Sequence, residues 1–214
     1  MQRPERQSDP QAGSRDRDET EHDAARANGE TQAADRQRDY QRCFIALVPD
    51  TATRDALSAV PVPPAARRVP YDQLHLTVTF IGALPLDKSA ALIDAVTREA
   101  VPLKLAPVAK IEHWPGASHP RLTVATLAMS DEFVTLDWRV RSTMIALGLP
   151  VDARTFRPHV TLARYRREAG AVGHAAELPA GLVARFEALT LYSSTLARNG
   201  ARYRSLASAH VVYA

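Results

Sequence analysis

Residues 74–81 alternate strictly, with His75, Thr77 and Thr79 polar and Leu76, Val78 and Phe80 apolar. A period of two predicts a strand with one polar and one apolar face. The pattern recurs over His159–Ala163, where His159 and Thr161 alternate with Val160 and Leu162. Gly82 is expected to end the first of these strands. Arg42–Val48 is near-continuously apolar and predicts a buried strand, followed by a helix over Asp50–Leu57 with Asp50 or Thr51 as its N-cap. Pro61, Pro63 and Pro64 then enforce a loop.

Helical spacing of Leu92, Ile93 and Val96 predicts a second helix between Asp87 and Ala100, ending before Pro102. Strand-like segments at Leu103–Trp114 and Leu122–Leu127 precede a third helix over Asp131–Leu147, capped by Ser130 and stopped by Gly148. The last strands fall near Arg185–Tyr192 and Tyr203–Tyr213, joined by a turn at Asn199-Gly200. This irregular order favours an α+β fold with antiparallel or mixed pairing over a doubly wound sheet.

Composition changes the picture at the N-terminus. From Gln2 to Asp39 there is no Val, Ile, Leu, Phe, Tyr, Trp or Cys. Such a segment cannot bury enough surface to offset its ordering entropy, so residues 1–39 read as a disordered polar tail and 40–214 as one folded domain. The tail holds seven Arg against ten Asp and Glu, so the remainder carries +6 where the whole chain carries +3. That surplus suits an anionic partner such as RNA, and equally suits simple solubility.

With no apolar run near the length of a bilayer span and no secretory signal pattern, the chain is expected to be cytoplasmic, away from membranes, and a monomer. Cys43 is the single cysteine and sits in an apolar run, where it reads as a buried small hydrophobe rather than a nucleophile.

His75-Leu76-Thr77-Val78 and His159-Val160-Thr161-Leu162 are one motif written twice, and no other histidine has Thr two places on. About 0.1 chance matches are expected among seven histidines, which makes the pair a specific signal. Residues two apart on a strand share a face, so each motif offers an imidazole beside a hydroxyl. Two such strands meeting across a cleft set one imidazole on each side of a phosphorus atom. One can deprotonate an attacking water while the other protonates the departing oxygen, which is what opening a cyclic phosphodiester requires. An unperturbed imidazole titrates near 6.5, so one neutral and one protonated ring can coexist near neutrality.

Thr77 and Thr161 are candidates for hydrogen-bonding the non-bridging oxygens, or for satisfying strand neighbours. No third His, Cys or carboxylate recurs at ligand spacing beside either motif, so no metal site is assigned. The remaining histidines lie in the tail (His22) or in turn-like and terminal settings (His113, His119, His174, His210), and read as structural or exposed.

At these motifs the chain resembles the two-histidine (2H) phosphoesterase superfamily, and within it the bacterial and archaeal RNA 2',3'-cyclic phosphodiesterase group, long labelled 2'-5' RNA ligases. Its landmarks are Arg42–Leu47, Leu74–Gly82, Phe156–Arg164 and Leu191–Ser194 with Gly200–Tyr203. The resemblance implies a bilobal, duplicated fold around a central cleft, a substrate of RNA ending in a 2',3'-cyclic phosphate, a 2'-phosphomonoester product, and no metal or nucleotide cofactor. It makes His75 the proton donor to the leaving 3' oxygen and His159 the acceptor that activates water. Arg164 resembles the family's phosphate-contacting arginine, although five residues from His159 is an odd separation that demands a strand end or a bulge. Phe44 resembles an aromatic near the cleft, with base stacking and core packing both open. Thr79 stands where relatives often carry a basic side chain, which removes a possible phosphate contact. Activity on 2'-5'-linked oligonucleotides, reversible 2'-5' ligation, and a non-catalytic RNA-binding module are the competing readings.

Overall fold

The computed structural model describes residues 40–197 and 200–213. The expected tail over 1–39 and residue Asn199 of the expected turn lie outside the described residues. Three α-helices and nine strands alternate irregularly among the described residues, giving an α+β fold. The elements are β1 (Tyr40–Pro49), α1 (Thr51–Ala59), β2 (Arg67–Arg68), β3 (Leu76–Leu84), α2 (Leu86–Glu99), β4 (Ala106–Trp114) and β5 (Leu122–Leu127). They continue with α3 (Asp131–Ala146), β6 (His159–Arg164), β7 (Val183–Ala184), β8 (Phe186–Ala197) and β9 (Gly200–His210).

Local chemistry explains the helix ends. The Asp50 side chain accepts a hydrogen bond from the Thr53 backbone N–H at 2.8 Å, and Ser130 accepts from Phe133 at 3.3 Å, each satisfying a donor that the first helical turn leaves free. Gly148 ends α3 at φ +61°, a conformation that suits glycine at this position. Gly82 behaves differently from expectation. It takes φ +79° and pairs with Cys43, but β3 continues two residues beyond it to Leu84. Its freedom absorbs an irregularity in the ladder instead of stopping the strand.

The strands run in the order β7-β4-β5-β6-β3-β1-β8-β9, with β2 also beside β6, and every pair of named strands is antiparallel. One isolated parallel bridge joins Leu103 to Tyr213. The halves β7-β4-β5-β6 and β3-β1-β8-β9 meet between β3 and β6 at one residue pair, Leu76 with Val160. Helix α2 packs on β8 and β9, and α3 on β3 and α2. Phe133 of α3 meets Phe156 and Phe186 edge to face at 6.3 and 6.2 Å. Burying a side chain of this size contributes roughly 1.5–3 kcal/mol, so the helical layer is anchored where it backs the junction.

Candidate active site

Leu76 and Val160 hold the same place in the two His-x-Thr-x motifs, one residue past each histidine, and both are fully buried. An antiparallel register through that pair sets His75 opposite Thr161 and Thr77 opposite His159. Because side chains alternate across a strand, all four project from the face opposite Leu76 and Val160. The structure therefore brings the four residues of the two motifs to one patch at the middle of the sheet.

Both imidazoles are oriented alike. His75 Nδ1 lies 2.7 Å from the carbonyl oxygen of Gln73, and His159 Nδ1 lies 2.7 Å from that of Arg157. A carbonyl only accepts, so each Nδ1 carries the proton and each Nε2 presents a lone pair. Neither Thr77 nor Thr161 uses its hydroxyl on a strand neighbour among the described residues, so both remain available to a ligand.

The strands then bulge at equivalent points. In the β3–β1 ladder Ile45 pairs with Thr79 and Ala46 with Thr77, so Val78 is an extra residue. In the β6–β5 ladder Thr123 pairs with Ala163 and Val124 with Thr161, so Leu162 is extra. Each bulge reverses the alternation beyond it. This resolves the odd separation of Arg164 from His159: the bulge at Leu162 returns Arg164 to the histidine face, and it lines the cleft. It also corrects the expectation for Thr79. That side chain is turned inward and buried, and the position facing the cleft is Phe80, which is 54% exposed.

The rows continue symmetrically into neighbouring strands. Phe80 pairs with Phe44, which pairs with Tyr192, just as Arg164 pairs with Leu122, which pairs with Trp114. On the first side Phe44 is only 4% exposed, with ring centroids 5.1 Å from His75, 5.3 Å from Tyr192 and 5.1 Å from Tyr203. Phe44 thus lines the cleft as a buried ring packed against His75, and the more exposed aromatic surface is Phe80. On the second side the Trp114 ring lies 4.5 Å from that of His159, and the Arg157 guanidinium lies 4.0 Å from the centre of the Trp114 ring.

The cleft beside His75 encloses about 570 Å³, within the range of small-ligand sites. Among the described residues its lining includes Arg42, Arg67, Arg68 and Arg164 and no carboxylate. His159 and Thr161 are not among its lining residues; they adjoin it through the β3–β6 pair. Arg67 stands directly opposite Arg164 in the β2–β6 ladder, which concentrates positive charge on this wall. Arg68 is committed elsewhere, donating to the carbonyls of Ser58 and Val60.

This environment disfavours imidazolium. Burial, reinforced by the charge of Arg164 and by His159, lowers His75 to about 4 despite its bond to Gln73. Burial lowers His159 as well, with Arg157 and Arg164 adding to the effect. The free protein at neutral pH accordingly holds both rings neutral, not one charged and one neutral. Cys43 also lines the cleft, but burial pushes its thiol up to about 11, so it holds no thiolate there.

Of the other histidines, His113 departs from its expected turn-like setting. It sits in β4, buried, with Nδ1 3.1 Å from the Thr123 hydroxyl and the Tyr165 hydroxyl close by. No local pattern marks Arg42, Arg67 or Trp114 as neighbours of this site, because strand pairing alone brings them there. Among the described residues no three His, Cys, Asp or Glu side chains gather as a metal site would require, and no helix is long and apolar enough to cross a membrane.

No family model matches the chain. It is 30% identical over 173 residues to the Escherichia coli (strain K12) RNA 2',3'-cyclic phosphodiesterase, covering 78% of this chain and 94% of that protein. A solved structure from Thermus thermophilus superposes with a TM-score of 0.67 at 26% identity, over 80% of this chain and 98% of that one. Escherichia coli LigT in its apo form gives 0.61 at 28% identity, over 81% and 99%. The same protein complexed with 3'-AMP gives 0.61 at 26% identity, over 80% and 98%.

Proposed function

The chain belongs to the RNA 2',3'-cyclic phosphodiesterase family of two-histidine phosphoesterases, and on that footing we propose that it hydrolyses RNA 2',3'-cyclic phosphate ends to 2'-phosphomonoesters without a metal. The observation that carries this reading is the pairing of Leu76 with Val160, which sets two identically oriented imidazoles on one face of the sheet.

In this reaction a water oxygen attacks phosphorus, and the bond from phosphorus to the ribose 3' oxygen breaks. His159 Nε2 takes the water proton as the new P–O bond forms. His75 Nε2 delivers a proton to the 3' oxygen, leaving a 3' hydroxyl and a 2'-phosphate. Each such proton transfer typically contributes about 10² to 10⁴ in rate. Arg164 and the hydroxyls of Thr77 and Thr161 hold the non-bridging oxygens, where transition-state charge collects. The assignment of donor and acceptor follows the family, since the two histidines have equivalent hydrogen bonds.

The low affinity of His75 for a proton has a place in this scheme. Burial is the main cause, and an anionic phosphodiester entering the cleft offsets the lesser contribution of Arg164, which moves His75 towards holding the proton it must donate.

The test is turnover of an oligonucleotide 2',3'-cyclic phosphate in EDTA with product identification. A 2'-phosphate product, lost in His75→Ala and in His159→Ala, is expected. Chelator-sensitive turnover, or full activity in both variants, would overturn the proposal. Incubation with 2'-5'-linked oligonucleotides in the same assay separates hydrolysis of the cyclic end from the ligase-type reaction.

A further inference from the structure

Arg42 has φ +54°, the one residue other than glycine with a positive φ among those described. Side chains with a Cβ adopt this conformation at a penalty, and it persists only where the surrounding structure enforces it. The enforcing element is a bulge in β1: Tyr40 pairs with Leu84 and Cys43 with Gly82, so β1 carries one more residue than β3 between these pairs. The result is an exposed arginine at the rim of the cleft, whose lining among the described residues includes no carboxylate.

Along the β3–β1 ladder, Thr77 is opposite Ala46, Phe80 opposite Phe44, and Gly82 opposite Cys43, adjacent to Arg42. Four residues of strand, about 13 Å, separate Arg42 from Ala46. The arginine side chain covers part of this, and the exposed Phe80 ring lies between. Arg67 lines the same cleft, its guanidinium nitrogens 2.5 Å from where a Cβ on Gly200 would stand. Reacting group, aromatic surface and a second cationic end therefore follow one another along the cleft.

We propose that Arg42 forms a second anion subsite that holds the phosphate on the 5' side of the terminal nucleotide. The inference rests on the proposed cyclic phosphodiesterase reaction and adds the substrate class: a chain end or a 5'-phosphorylated nucleotide, in preference to a nucleoside bearing only the cyclic group. In this arrangement the terminal cyclic phosphate sits between His75 and His159, its base or sugar lies over Phe80, and the preceding phosphate meets Arg42. A cationic hydrogen bond to phosphate of this kind corresponds to a factor of about ten or more in affinity.

The test compares kcat/KM for three substrates: a nucleoside 2',3'-cyclic phosphate with a free 5' hydroxyl, the same nucleoside with a 5'-phosphate, and a dinucleotide ending in the cyclic phosphate. The wild-type protein should favour the second and third over the first by at least about tenfold. In Arg42→Gly, where the backbone conformation is unstrained, that ratio should fall towards one, and Arg42→Lys should retain most of it. Equal kcat/KM for all three in the wild type, or an undiminished ratio in Arg42→Gly, overturns the subsite while leaving the reaction itself in place. Absence of turnover on every cyclic phosphate overturns both the reaction and the subsite that depends on it.

Discussion

Arg164 and Phe80 occupy the same position in the two halves of the sheet, each five residues past its motif histidine and each returned to the cleft face by a bulged residue, Leu162 or Val78. One half thus presents a cation to the site and the other an aromatic ring. An equivalent backbone has been given two chemistries, one suited to phosphate and one to a base.

Replacing Arg164 should do more than slow the reaction. In the proposed reaction Arg164 holds the developing charge, and loss of such a donor in Arg164→Met should lower kcat by about 10² to 10³. The same guanidinium depresses both His75 and His159. Its removal should therefore shift the pH optimum of the residual activity upward, towards neutrality. Steady-state kinetics over a pH series would read both effects, and a slower enzyme with an unmoved optimum would contradict the electrostatic role.

The wild-type pH profile has a predicted sign. Acid and base catalysis by a histidine pair needs one ring protonated and one neutral, and kcat/KM reports the titration of the free enzyme. With His75 at about 4 and His159 below its ordinary value, the maximum of kcat/KM should lie on the acid side of 6.5, with a decline as pH rises beyond it. A flat profile through about pH 8 would show that neither ring enters the rate-limiting proton transfer from its free state.

Phe44 and Phe80 should separate stability from binding. Phe44 is buried among His75, Tyr192 and Tyr203, so Phe44→Ala should lower unfolding free energy by about 3–5 kcal/mol in a denaturant titration. Phe80 is 54% exposed, and Phe80→Ala should change stability by only about 0.5 kcal/mol. Its effect should appear in KM for an oligonucleotide substrate, raised roughly tenfold through lost base stacking. A KM effect from Phe44→Ala alone would reverse this division.

The features legible in the sequence are those written within a few residues. The period-two motifs around His75 and His159, the caps Asp50 and Ser130, and the glycine after α3 all declare themselves locally. What escapes local reading is set by partners far along the chain. Nothing in the run Thr77-Val78-Thr79-Phe80 says that β1 will skip Val78, yet that skip decides whether Thr79 or Phe80 faces the cleft. The same holds for Leu162 and Arg164. The strand holding His113 is legible, but its partners Thr123 and Tyr165 come from β5 and beyond β6, so its buried hydrogen-bonded setting is not.

The groups that orient the two imidazoles are main-chain carbonyls, those of Gln73 and Arg157. No substitution at either position deletes a carbonyl, so ring orientation is insulated from point mutation in a way that a carboxylate partner would not be. The side chains there are released for other work: Gln73 donates its amide to the Ala201 carbonyl, and Arg157 lies over Trp114. Drift at positions 73 and 157 can thus alter the rim of the cleft while the proton-carrying nitrogens keep their aim.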